Sequence, residues 1–320
     1  MLDENRTVWM LLTGSIVKHA VLTFLASRKR KQLVGHVSRL HVFPLKSARE
    51  LPDNITEVRL TDHGIVYNGV ADRHWLVTKN GDMMTMKQSA RLTLISPSIH
   101  GNHLHLDATG MATLILPLDP KVALDQTATV TVKNTPLPAL DMGAEAAGWV
   151  CSVLQQEGLR LNFSAPSLDK RLSSKVHKDW GTLIAETDEI AFQDFGHCMI
   201  MCESSLADLN GRLPTPMSVI PFRPNVMIDG THPYDEDNWR EIYFGEQTSV
   251  RYVDQCTRCL ITQIDHVTGE KFPDEQPLKE LKTYRLMDPY GPKPVMGIHT
   301  VTKTPGYIRV GDPVYVVKKK

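Results

Sequence analysis

This chain has no excess of charge of either sign: Lys+Arg and Asp+Glu are both 36. Binding to a run of phosphates needs a basic surplus, so the composition gives no ground for a nucleic-acid partner. Cysteine is scarce and odd in number, 5 in 320 residues, with no clean signal peptide ahead of it. That argues for a reducing compartment rather than a disulfide framework, so a useful cysteine works as a thiolate. Low-complexity tracts are missing, and 42% hydrophobic residues exclude a disordered chain. No GxGxxG follows a strand to open a helix, so the chain carries no dinucleotide motif. What remains is a chain long enough to bury a sizeable core, in about two domains.

The N-terminus stands apart. "TVWMLLTGSIVKHAVLTFLAS" is apolar except for Lys18 and His19, and the basic block Arg28 to Lys31 follows at once. Its nine Val, Leu, Ile and Phe residues favour membrane insertion by roughly 3 to 5 kcal/mol, and a central lysine costs about 3 kcal/mol. The balance near zero describes a marginal span or an in-plane amphipathic anchor over residues 1–32, with a surface helix carrying a basic end as the alternative. The basic block would hold the following domain on the cytosolic side.

From Lys31 to about Leu161 the pattern is one of short strands. "LVGHVSRLHVFPL", "EVRLTDHGIVY", "HWLVTKNGDMMTMKQ", "RLTLISPSI" and "MATLILPL" alternate or run apolar, with Asn80-Gly81 and Gly101-Asn102 as hairpin turns. "HLHLD" puts His103, His105 and Asp107 on one strand face, either a metal site or, beside those turn residues, a solvated hairpin face. "GAEAAGWVCSVLQQEG" has helical spacing and ends at Gly158. The polar stretch "SAPSLDKRLSSKVHKDW" reads as a join, giving domains over 33–165 and 172–318.

The second half repeats the style. An apolar strand runs through Met201, and Ser204 or Ser205 caps a short helix "LADLN" stopped by Gly211. "FRPNVMIDG" is a strand, "WREIYFGEQTSVRYVDQ" a hairpin, "PLKELKTYR" a helix, and "GYIRVGDPVYVV" two strands about a turn. The fold class is α+β, mostly β, with curled or barrel-like sheets and short helices.

The chemistry centres on "DQCTRCLITQID". Cys256 and Cys259 could join Cys198 and Cys202 in a zinc site, form a redox dithiol, be two buried thiols, or supply one thiolate to a metal held mainly by a cofactor. A dithiol wants a helix after its second cysteine, whereas "LITQID" reads as a strand. A cofactor carrying phosphate would need cationic clamps at strand ends and tight turns. Lys46 with Ser47, Arg73, and Arg223 with Asn225 are the candidates, and Arg258 would lie beside the thiolate.

These residues carry a family resemblance. "VFPLKS", "DRHWLV" and "RLTLI" resemble the N-terminal β-barrel domain of the MOSC proteins. "FRPNVMIDG", "CTRCLITQIDHVTGE", "QPLKELKTYR" and "IRVGDPVYV" resemble the MOSC domain itself. In this order, behind an N-terminal anchor, they are similar to the family of mitochondrial amidoxime-reducing components, from about Val37 to Val317.

The resemblance implies an N-terminal MOSC-type β-barrel domain followed by a MOSC β-barrel domain. It implies a molybdenum oxidoreductase, independent of pyridoxal phosphate, that reduces amidoximes and hydroxylamines from N–OH to N–H. Cys259 would ligate molybdenum and Cys256 would be structural. Lys46, Ser47, Arg73, Arg223 and Asn225 would hold the molybdenum cofactor (Mo-molybdopterin), with Thr257 and Arg258 flanking the ligand. Asp194 would relay protons or orient substrate, and the backbone of Phe195 and Gly196 would face the cofactor. Phe195, Gly196 and His197 stand where relatives have small hydroxyl residues and a proline, and His299 where tyrosine is frequent. Electrons would come from a b-type cytochrome fed by an NADH-dependent reductase. The implied location is the mitochondrial outer membrane with the folded domain facing the cytosol, or another intracellular membrane. The competing reading is a molybdenum-cofactor binding or carrier protein without turnover.

Overall fold

A computed structural model describes residues 31–319 except 53 and 176–182. The anchor expected over residues 1–32 therefore lies outside the described residues, apart from its last two. Among the described residues no helix is long and apolar enough to cross a membrane.

Among the described residues the strands close two barrels. The larger runs, neighbour to neighbour, through Gln32–Leu40, Val226–Asp229, Cys198–Cys202, Val295–Thr304, Thr248–Thr257, Trp239–Phe244 and back through Pro313–Lys318. Every residue of Cys198–Cys202 is buried, because both faces of that strand are covered. Cys198, Ile200 and Cys202 point into the barrel with Trp239, Phe244, Ile298 and Val316. Met199 and Met201 point the other way, onto Leu206 and Leu209 of the helix Glu203–Arg212 and Leu281 of the helix Leu278–Tyr284. Cys198–Cys202 and Val226–Asp229 pair in parallel, with Ile200 opposite Val226, so the helix Glu203–Arg212 lies in the crossover between them.

The smaller barrel comprises Thr127–Val132, Thr135–Asp141, Leu159–Phe163, Trp75–Lys79 and Asp82–Met83. Two of its hairpins turn on two residues of positive φ, Asn80 with Gly81 and Lys133 with Asn134, the twist that suits right-handed strands. The helix Gly143–Leu154 lays Ala146, Trp149, Val150 and Val153 on Leu159 and Leu161.

The two halves interlock. Gln32–Leu40 closes the barrel built by the C-terminal half, and Gly306–Arg309 returns to pair with Glu57–Thr61. Both strands of the "GYIRVGDPVYVV" reading are present, but each pairs elsewhere: Pro313–Lys318 lies against Trp239–Phe244.

Four local expectations differ from what forms. The helix begun at Gly143 ends at Leu154, because Gln155 takes the left-handed conformation there (φ 55°) well before Gly158. The helix read as "LADLN" starts at Glu203 and runs through Gly211 to Arg212. Ser205 is not its cap. Its hydroxyl donates to the buried Glu236 carboxylate at 2.9 Å and accepts the Tyr234 N–H. "ARLTL" is a 3₁₀ turn, Ala90–Leu94, ahead of the strand Ser96–His100. "LITQ" is likewise a 3₁₀ turn, Leu260–Gln263, and not a strand.

Candidate functional site

Four turns and one strand end converge on a cavity of about 380 Å³. Lys46 and Ser47 come from the turn after "HVFPL", and Arg73 from the bend that enters Trp75–Lys79. Asp194, Phe195 and Gly196 precede Cys198–Cys202, and Arg223 and Asn225 enter Val226–Asp229. Thr257, Arg258 and Cys259 leave the end of Thr248–Thr257. All eleven line this one cavity. Three non-glycine residues among them hold positive φ: Ser47 (71°), Arg73 (53°) and Arg223 (56°). Such backbone costs free energy in each case, and here the cases gather in one place.

The two arginines flank one ring. Arg223 sits 4.2 Å and Arg73 4.9 Å from the centroid of the fully buried Phe43. Arg73 pairs with Asp72, approaches Asn225 Oδ1 at 3.3 Å and donates to the Arg223 carbonyl at 2.9 Å. Asn225 accepts the Met199 N–H at 3.1 Å and donates to the His41 carbonyl at 3.2 Å. Arg223 Nη1 donates to the Ala48 carbonyl at 2.5 Å, but its buried Nη2 has no partner among the described residues. Burial, then the neighbouring Arg73, lowers the Arg223 pKa to about 9. An unpaired buried N–H of a cation is costly, so this guanidinium is built to receive an acceptor, best an anionic one.

Asp194 lies between two ammonium groups. Lys46 Nζ donates to its Oδ1 at 2.9 Å and to the Phe192 carbonyl at 2.8 Å, and Lys133 Nζ is 3.5 Å from the same Oδ1. Burial pushes the Asp194 carboxyl up, but Lys46 and Lys133 together outweigh it and hold it well below the usual carboxylate range. Its side chain is half exposed at the cavity, so it stays reachable while ionised. Burial brings Lys46 down to about 8 despite Asp194, which raises it. Lys133 moves up, chiefly through Asp194.

The cysteines separate. Cys259 is half-buried on the cavity wall and starts the 3₁₀ turn Leu260–Gln263. Cys256 is buried among Met199, Met201, Phe222 and Met296, and burial pushes its thiol up. Cys198 and Cys202 face the barrel core, on the opposite side of their strand from Met199 and Met201. Strand alternation thus keeps them from joining Cys256, and the four-cysteine zinc arrangement does not form. Among the described residues no group of three or more metal-ligating side chains gathers.

Other candidates have their own placements. Arg258 turns its guanidinium inward, donating to the carbonyls of Met296 and Phe222, each at 2.8 Å, so it braces the loop that carries Cys259. Phe195 packs on Val253 and Val301 and meets His299 at 5.5 Å between ring centroids, making one wall. Gly196 passes so close to Thr300 that a Cβ would sit 2.6 Å from its carbonyl oxygen. His197 does not line the cavity. Its ring bonds Thr302 and the Glu189 carbonyl, and burial lowers it to about 4. On the distant hairpin, His103 is exposed and His105 and Asp107 half-buried, an open face as expected of a solvated edge.

Lys133 is the residue that sequence reading missed. Asn134 hints at a turn, but a lysine in the left-handed region carries no local signal. Its meeting with Asp194 depends on how the five-stranded barrel sits against the loop before Cys198.

A family model described as MOSC N-terminal beta barrel domain matches residues 34–157, and one described as MOSC domain matches 187–315. The chain is 36% identical to mitochondrial amidoxime-reducing component 1 of Mus musculus over 296 residues, covering 91% of this chain and 84% of that protein. Identity to the Homo sapiens component 1 is 34%, covering 91% and 85%. The Danio rerio component 1 is 33% identical, covering 98% and 96%.

Proposed function

We propose a molybdenum-cofactor-dependent reductase of N-hydroxylated compounds for this chain, which belongs to the mitochondrial amidoxime-reducing component family of MOSC-domain proteins. One observation carries the reading: the Cys259 thiol and the orphaned buried N–H of Arg223 line the same cavity. A soft thiolate suits a transition metal, and an unpaired guanidinium suits a phosphate, so the donor set fits a metal held by a phosphate-bearing cofactor.

Cys259 would ligate the metal. Arg223, Arg73, Ser47 and Asn225 would receive the phosphate and the pterin, with Thr257, Phe195 and Gly196 closing the wall, Arg258 bracing the loop and Lys46 holding Asp194. When bound, the cofactor supplies a two-electron centre able to take oxygen from an N–O bond. An amidoxime plus two electrons and two protons gives the amidine and water. Asp194 stays ionised at neutral pH, so it accepts hydrogen bonds from the substrate and does not donate a proton itself. Lys46, at about 8, is the group poised to give one.

Electrons would come from a b-type cytochrome and its NADH-dependent reductase. The N-terminal segment would tie the protein to the mitochondrial outer membrane, with the folded part in the cytosol. Metal analysis of the purified protein tests the reading. Stoichiometric molybdenum supports it, whereas zinc, or a persistently metal-free protein from cells that make the cofactor, counts against it.

A further inference from the structure

We propose that this cavity selects N-hydroxylated substrates that also bear a carboxylate, through Lys87 and Lys133 at its mouth. The inference rests on the reductase reading and adds a substrate class to it. Its basis is the charge that Lys46, Lys133 and Asp194 leave at the cavity, together with the exposed Lys87 on the same lining.

Arg73 has Asp72, and Arg258 is spent on carbonyls. Arg223 holds the orphaned N–H assigned above to the cofactor phosphate. Lys46 and Lys133 share the single Asp194 carboxylate, leaving that trio with one positive charge in excess. The other lining carboxylate, Asp254, is buried and takes the Tyr290 hydroxyl and the Gln255 N–H. Of these lysines, Lys87 and Lys133 face solvent while Lys46 is buried.

Both lysines at the mouth come from built turns of the five-stranded barrel. Lys133 occupies the two-residue turn between Thr127–Val132 and Thr135–Asp141 and is 35% exposed. Lys87 is exposed and follows Thr85, whose backbone N–H donates to the Gln88 side chain at 3.0 Å and whose hydroxyl accepts the Lys87 N–H at 3.3 Å. Ammonium groups on flexible stems suit a carboxylate that arrives from water, and a cleft with low-dielectric walls concentrates their field.

The test measures binding of benzamidoxime and of para-carboxybenzamidoxime to the molybdenum-loaded full chain by calorimetry, with no electron donor present. The carboxylated compound should bind about tenfold more tightly. Lys87→Gln and Lys133→Gln should each cut that preference by about threefold, with Lys87→Gln leaving benzamidoxime affinity unchanged. Equal affinities in the wild type, or a preference that survives in both variants, would overturn the inference. So would variants that keep the preference and only raise the KM for the cytochrome, since the lysines would then serve protein docking. Intact benzamidoxime turnover with equal affinities sinks this inference alone. Absent turnover with working donors sinks the reductase reading and this inference with it.

Discussion

Lys46 Nζ donates to Asp194 Oδ1 at 2.9 Å, joining the first turn of the N-terminal half to the loop that precedes Cys198. The pair does two things. It anchors the loop that forms one cavity wall, and it sets which group can carry a proton near neutrality.

The pH dependence follows. Burial lowers Lys46 to about 8, and Asp194 opposes that shift. If the Lys46 ammonium gives the proton, kcat falls as pH rises through about 8. Asp194→Asn removes the opposing charge, so the falling limb should move to lower pH. The Asp194 carboxyl sits below its ordinary 3.8, so its ion pairs stabilise the fold fully above that pH and are lost only on strong acidification. A pH–rate profile of both proteins checks the first effect, and a limb unmoved by Asp194→Asn would contradict it.

The two cysteines should behave differently. Cys259→Ser should leave a folded protein with little bound molybdenum. Cys256→Ser buries a hydroxyl among methionines and should lower stability by about 1–3 kcal/mol while the metal stays. Metal content and thermal melting of each variant separate the cases. Equal loss of metal in both would point to a shared site.

Arg223→Ala should lose cofactor. The Arg223 guanidinium is buried, and its Nη2 finds no partner among the described residues, so a bound phosphate should gain several kcal/mol from it. We expect cofactor occupancy to fall by more than about tenfold, measured by phosphorus and molybdenum content. Full occupancy would place the phosphate elsewhere.

Gly196→Ala tests the wall. The added methyl would lie 2.6 Å from the Thr300 carbonyl, and backbone cannot yield as a flexible side-chain tip can. Destabilisation of about 1–3 kcal/mol should follow, together with a raised KM, because the displaced segment carries Asp194 and Phe195. An unchanged melting temperature would show that the loop moves freely.

Much of this arrangement is legible in the residues. Paired turn residues such as Asn80 with Gly81 mark hairpins because few side chains tolerate positive φ, and "WREIYF" with "TSVRYV" forms the expected hairpin, Glu241 opposite Arg251 through Phe244 opposite Thr248. The side chains named for the cofactor line one cavity because they sit at strand ends, where side chains can turn inward. Other features depend on what lies across space. Arg258 reads as a cation beside the thiolate, yet the carbonyls of Met296 and Phe222 claim it. Cys198 and Cys202 sit in an apolar strand by sequence, with spacing poor for zinc, but only the folded strand shows that both face the barrel core, away from Met199 and Met201. Gln32–Leu40 has no local mark of its place in the C-terminal barrel, because its partner Val226–Asp229 is nearly two hundred residues away. Lys133 is hidden for the same reason.

The most direct test of the central claim is turnover. The molybdenum-loaded protein, given NADH, its reductase and a b-type cytochrome, should convert benzamidoxime to benzamidine, with one NADH consumed per amidine formed. Stoichiometric molybdenum with no amidine, while the same donors reduce a control acceptor, would contradict the reductase reading and leave a cofactor carrier.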